Sequence, residues 1–392
     1  MKKHINIGIV GIGNIGTAHA HCIADGKVSG MQLAAICDIA GDRREYCKNM
    51  FPDIEVYSDY SMMLADDNLD AVIISVPHRL HADMAIMALE SGKHILVEKP
   101  VDITVSKAIG LNNIAQKSEK VFAIMFNQRT NKLFAKAREI VKNGDLGELK
   151  RIVWIITNWY RTQSYYDSGD WRATWSGEGG GVLLNQAPHN LDIWQWICGM
   201  PQSLTAFCDV GKYHHIEVED DVTILARYKN GATGTFITST GEYPGTNRLE
   251  ISGSKGKIVL ENDVLKYWKL KQNEREICYT SQEAFANIDF DYSEIAFDEP
   301  ESAHRGILQN FTNAILFGEE LISPGIEGVN ELTLSNAAYL SSWNNNCEVK
   351  IPFDCKEFDK KMSLLKNSSK FSSRISENGN NSDYSERWRV HW

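Results

Sequence analysis

The sequence predicts an α/β protein: an N-terminal doubly wound parallel sheet, then a C-terminal α/β part with a large, open, mainly antiparallel sheet. Three observations carry this. Apolar, β-branched runs alternate with helical spacing up to about residue 126. A glycine turn, Gly11-Ile12-Gly13-Asn14-Ile15-Gly16, joins the first run to the first helical segment. Beyond residue 200, period-two runs follow one another with turn residues between them.

Taken in order, Ile5 to Val10 is short and apolar, as a buried parallel strand should be, and Thr17 to Ala24 continues with helix formers and no proline. The glycines permit a tight turn and close backbone approach to a pyrophosphate, while the N–H groups and dipole of the helix start attract its charge. Gly11, Gly13, Asn14, Ile15 and Gly16 are therefore candidate cofactor contacts. A second strand, Gln32 to Cys37, ends in Asp38, 22 residues beyond Gly16, where a carboxylate can accept hydrogen bonds from ribose hydroxyls. That acid would repel a 2'-phosphate and favours NAD over NADP; Arg43 and Arg44, just past the strand, pull the other way. A structural glycine turn in a cofactor-free protein is the competing reading, and strand, helix and acid together outweigh it.

Ala71 to Val76 reads as a fourth strand, Leu80 to Ser91 as a helix stopping at Gly92, Ile95 to Val97 as a fifth strand and Val121 to Phe126 as a sixth. Ligands of such sheets bind beyond the carboxyl ends of the strands. That places Ser75, Val76, Pro77, His78, His81, Glu98, Lys99, Asn127 and Arg129 around one cleft. A lysine exchanging protons near neutrality needs its pKa lowered by roughly 3 units, or about 4 kcal/mol. Burial of Lys99 beside a positively charged nicotinamide would act in that direction. Glu98, its strand neighbour, is expected on the opposite face and so not to counteract that shift directly, and Pro100 fixes the chain as it leaves the sheet. Spacing alone leaves open that Lys99 merely ends a strand as a solvated charge.

At 392 residues and 43% hydrophobic content the chain can bury two cores, and its length suggests two or three domains. The net charge of -10 and the lack of a long basic tract argue against nucleic acid, and no apolar run has the length of a membrane span. Met1-Lys2-Lys3-His4 leads straight into the first strand, so a cytoplasmic location is expected. The eight cysteines form no CxxC pair and read as reduced core thiols; no metal cluster is expected.

The glycine turn, Asp38, the segment from His81 to Pro100, and Gly179-Gly180-Gly181 followed by Asn185, His189 and Asp192 together resemble the glucose-fructose oxidoreductase, inositol dehydrogenase and rhizopine-catabolism family, Gfo/Idh/MocA. The resemblance covers about residues 4 to 353. It implies a Rossmann domain over 1–127 and a substrate-binding and oligomerising domain over 128–353; beyond it, 354–392 reads as a helix with a polar tail. It further implies NAD(P)-dependent hydride transfer on a sugar or cyclitol, and a homodimer or homotetramer assembled through the sheet. Lys99 would be the catalytic lysine and His189 the second acid/base residue. Asn185 departs from the inositol dehydrogenase pattern, which has an aspartate there; an amide can bind a hydroxyl but cannot take its proton. Base work then falls on His189 or Lys99. On a helix Asn185, His189 and Asp192 would share a face, with Pro188 forcing a kink or a restart just before His189.

Tyr160, Trp171 and Arg172 belong to an aromatic and arginine-rich stretch suited to the C–H faces and hydroxyls of a carbohydrate, or alternatively to a subunit interface. With Arg129, they complete the expected substrate contacts. Alternating runs at 205–210, 221–228, 233–240, 248–252 and 257–260 predict the second sheet, and 301–317 and 326–343 predict helices. His304 falls near the start of the first of these, either reaching the cleft or on the surface. Residues 367–383, rich in Ser and Asn, read as a poorly ordered tail with Trp388, Arg389 and Trp392 beyond it. The expected reaction is NAD-dependent oxidation of a secondary hydroxyl of a sugar, glycoside or cyclitol. The alternatives are a glycosidase acting by transient oxidation and elimination, and a non-catalytic NAD sensor.

Overall fold

The computed structural model describes residues 3–169, 171–298 and 302–369. The first domain runs β1 (Ile5–Val10), α1 (Asn14–Ala24), β2 (Met31–Cys37), α2 (Gly41–Met50), β3 (Glu55–Tyr57), α3 (Tyr60–Leu64), β4 (Ala71–Ile74), α4 (His81–Glu90), β5 (His94–Val97), α5 (Val105–Ala115) and β6 (Phe122–Ile124). Its six strands lie in the order β3-β2-β1-β4-β5-β6, all parallel. The order reverses between β1 and β4, and the glycine turn leaves β1 beside this switch point.

The second domain opens with α6 (Lys132–Lys142), β7 (Leu149–Ile156), α7 (Gln163–Tyr166) and α8 (Pro188–Cys198). It continues through β8 (Ser203–Val210), β9 (Glu219–Arg227), β10 (Thr233–Ser239), β11 (Asn247–Gly253), β12 (Gly256–Glu261), β13 (Val264–Leu270), α9 (Glu274–Thr280) and β14 (Phe290–Ile295). It closes with α10 (Ala303–Phe317), α11 (Gly328–Trp343), β15 (Val349–Lys350) and α12 (Cys355–Ser368). The nine strands run β14-β13-β12-β11-β7-β10-β9-β8-β15, antiparallel except at β7 and β10. The predicted strands are all present, and β7, β13, β14 and β15 join them. Trp154 of β7, Trp194 of α8 and Phe236 of β10 meet in the core between this sheet and its helices.

Two placements differ from the sequence reading. Helix α10, assigned to the second domain, packs Ile307, Leu308 and Phe311 into the core formed by Ile5, Ile7 and Ile9. The first sheet is apolar on both faces, and a later segment returns to cover one of them. Cys278 and Cys347 are exposed rather than core thiols, because each lies outside the apolar runs; all eight cysteines are unpaired. The predicted tail, 367–383, begins inside α12, which runs to Ser368; from residue 370 it lies outside the described residues. Among the described residues no helix is long and apolar enough to cross a membrane, and no cluster of His, Cys, Asp or Glu is arranged to hold a metal.

Candidate active site

The cofactor cradle follows from three glycines with different tasks. Gly11 has φ +88, and a Cβ there would stand 2.6 Å from the Ser75 carbonyl oxygen, so only glycine fits between β1 and β4. A Cβ on Gly16 would meet the Gly11 carbonyl oxygen at 2.0 Å, which ties the helix to the turn. Gly13 caps α1, and a Cβ there would meet nothing within 4 Å. That open space lies over the helix N-terminus at Asn14 and Ile15 and suits a pyrophosphate. Asp38 closes the cradle: its Oδ2 accepts from the Ile12 N–H at 2.7 Å and its Oδ1 from the Ala40 N–H at 2.8 Å. Arg44 is turned back onto the Asp38 and Ile39 carbonyls, while Arg43 sits on the first turn of α2. The residues present fit a dinucleotide.

Lys99 follows β5 at the sheet's carboxyl edge. Its Nζ donates to the Asn185 carbonyl oxygen at 2.7 Å, a contact from the first domain to the second. Burial lowers its proton affinity, and the nearby Glu98, Glu331 and Glu178 act against that shift. Glu98 does turn away, as the alternation of a strand requires, and meets His19 at 2.8 Å. Its charge is still felt at Lys99, so the expectation that Glu98 would not counteract the shift is corrected: a buried charge acts over more than one residue spacing. Burial pushes the Glu98 carboxyl up, but the bond to His19 and the charges of His19, His304 and Lys99 outweigh it and hold it at about 2.

His189 is buried, and burial, with Lys99 next, takes its proton affinity well below the usual imidazole range. Helix α8 starts at Pro188, the first-turn position where its missing N–H costs nothing. The restart is therefore real, whereas Asn185 lies before the helix and does not share its face. The Asn185 Nδ2 donates to Glu178 Oε1. Glu178, which the sequence reading passed over, is buried in the glycine-rich turn; burial raises its carboxyl, with Arg172 opposing. A second buried acid, Glu219, binds the Gly181 and Leu183 N–H groups and the Tyr339 hydroxyl, and so shapes the same turn.

The other expected residues divide between cleft and scaffold. His78 is buried, with Nδ1 3.4 Å from the Glu178 carbonyl oxygen and its ring edge-on to Trp171 at 6.3 Å. Ser75 and Pro77 flank Val76 on the same turn beyond β4. His81 spans the Val76 and Pro100 carbonyls, 2.7 Å from each, and burial lowers its proton affinity although both carbonyls oppose this. Asn127 meets His304 at 3.4 Å, which brings that histidine inward, where burial takes it to about 4. Arg172 donates to the Tyr165 hydroxyl at 2.9 Å and stacks between Tyr165 and Trp171. Tyr160 is half exposed, and its ring partner is the exposed Tyr243.

Arg129 is a correction. Its guanidinium is fully buried, with two bonds to Asp192 at 2.8 and 2.7 Å and one to Glu327, so it ties the turn at 127–130 to α8 and to the residue just before α11 and does not face a substrate. A buried fork matched by two carboxylates has no donor face left for a sugar.

Residues 5–126 match the oxidoreductase family with the NAD-binding Rossmann fold, and residues 134–259 match the GFO/IDH/MocA C-terminal domain. The chain belongs to the GFO/IDH/MocA family. It is an NAD-binding oxidoreductase. Myo-inositol 2-dehydrogenase of Thermotoga maritima is 27% identical over 266 residues, 66% of this chain and 75% of that protein. The WlbA dehydrogenase of Bordetella pertussis, solved with NADH and UDP-GlcNAcA, superposes with a TM-score of 0.74 at 25% identity, covering 90% of this chain and all of that one (100%). A levoglucosan dehydrogenase solved with NADH and L-sorbose shares the fold, with a TM-score of 0.74 at 21% identity over 90% of this chain and 100% of its own.

Proposed function

We propose that this GFO/IDH/MocA protein oxidises a secondary hydroxyl of a sugar, glycoside or cyclitol, with Lys99 as general base. The observation that carries the reading is the partly buried Lys99 amine, set at the edge of the cofactor sheet and held on the Asn185 carbonyl. When bound, NAD+ supplies the hydride acceptor. The neutral amine takes the hydroxyl proton as the carbinol C–H bond breaks. His189, whose proton affinity is lowered by burial first and by Lys99 next, serves as the second proton carrier. Arg172, locked between Tyr165 and Trp171, offers its remaining N–H groups and the rings' apolar faces to a carbohydrate.

Incubation with NAD+ and a panel of polyols, free sugars and glycosides tests this, following NADH absorbance and aglycone release together. NADH alone supports the dehydrogenase. Aglycone without NADH would replace it with transient oxidation and elimination. Tight NAD+ binding with neither product would make the protein a sensor.

A further inference from the structure

The glycine-rich turn before α8 places one buried carboxylate against three parts of the site. Glu178 Oε1 accepts from Asn185 Nδ2, its Oε2 accepts from the Ala173 N–H at 2.6 Å, and its carbonyl oxygen faces His78 Nδ1. A carboxylate accepts and does not donate, so it selects the nitrogen end of the Asn185 amide. The main chain of Asn185 is held as well: its N–H goes to the Gly181 carbonyl at 3.0 Å, and its carbonyl takes the Lys99 amine. What remains is the amide oxygen of Asn185, an acceptor on the same residue that anchors the reacting lysine.

We propose that Glu178 is a positioning residue that fixes Asn185 with its amide oxygen toward the cleft, as an acceptor for a substrate hydroxyl. This rests on the reaction proposed above and adds the residue that orients that acceptor. Lys99 receives the proton of the oxidised hydroxyl, and Asn185 Oδ1 accepts a hydrogen bond from a substrate hydroxyl. Burial raises the Glu178 carboxyl, and Arg172, whose charge is felt there, opposes that rise and so favours the acceptor state.

The test is Glu178→Gln, close in shape but unable to accept from both the Ala173 N–H and Asn185. With whichever of myo-inositol, L-sorbose or levoglucosan the wild type turns over, KM for the polyol should rise roughly tenfold, the effect of one buried hydrogen bond. KM for NAD+ should not move. In an Asn185→Ala background the same change should have almost no effect, since the coupled partner is gone. Equal effects in both backgrounds overturn the proposal. If the wild type oxidises none of the polyols, the proposed reaction fails instead, and the positioning role is read without substrate. In 15N-asparagine-labelled wild type, the side-chain amide resonance lost on Asn185→Ala should lie downfield of its peers and move upfield in Glu178→Gln. A wild-type resonance at the ordinary position refutes the role, whether or not the variant folds.

Discussion

At the scale of the residue, the proposed chemistry rests on an amine and an imidazole whose proton affinity burial lowers. Burial lowers Lys99, so its base form is reached below the usual lysine range and kcat/KM for oxidation should rise with pH through that lowered value. Because Glu98 opposes the shift, Glu98→Gln should move this limb to lower pH; a limb that stays put would remove Glu98 from the electrostatics. Lys99→Ala should reduce kcat by about 10² to 10⁴ while NAD+ affinity, measured by calorimetry, stays nearly constant. At the other end of the cofactor, Asp38 leaves no guanidinium facing it from Arg44, which is spent on carbonyls. NAD+ should bind more tightly than NADP+, and Asp38→Ala should narrow the gap; tighter NADP+ binding by the wild type would reverse this assignment. Lys99 and Asp38 were legible in the sequence because each ends a strand at a spacing set by the motif. Glu178 was not, since its partner Asn185 comes near only through a turn whose path no periodicity encodes. The Arg129–Asp192 pair was hidden for a similar reason, its members lying 63 positions apart.

Among the elements, the glycine turn separates packing from binding. Gly13→Ala adds a methyl where the protein has nothing within 4 Å, on backbone of ordinary φ (-75), so the fold should be intact. NAD+ affinity should nevertheless fall at least tenfold if the pyrophosphate occupies that space, on the order of 1.4 kcal/mol. Unchanged affinity would move the cofactor elsewhere. Gly16→Ala should instead lower thermal stability, because its methyl meets a carbonyl at 2.0 Å. The turn before α8 carries a pH signature of its own. Burial raises the Glu219 carboxyl from 4.5 to about 7 although two backbone N–H groups and Tyr339 oppose it. The folded protein thus holds a proton that the unfolded chain has lost; the associated stability is full below about 4.5 and is lost as pH rises through about 7. Glu219→Gln should flatten that part of the curve in denaturant unfolding between pH 4.5 and 8. The parallel strands were readable from their apolar runs. β14 was not, since its residues are mostly exposed and owe their conformation to pairing with β13.

For the whole molecule, the nine-stranded sheet turns one face to the helices and leaves Phe207 of β8, Leu225 of β9 and Tyr292 of β14 about half exposed. Large apolar side chains exposed on an open sheet are the pattern of a surface covered by a second copy. The protein should sediment as a dimer or tetramer, and Leu225→Glu as a smaller species; a monomeric wild type would leave this face without a partner. The sequence showed that a second sheet exists, but not that α10 returns to cover the first, because such a return is decided by which apolar face remains bare. The single bond from Lys99 to the Asn185 carbonyl has a consequence at this scale too. The lysine belongs to one domain and its anchor to the other, so parting the two would undo the very burial that lowers the amine's proton affinity.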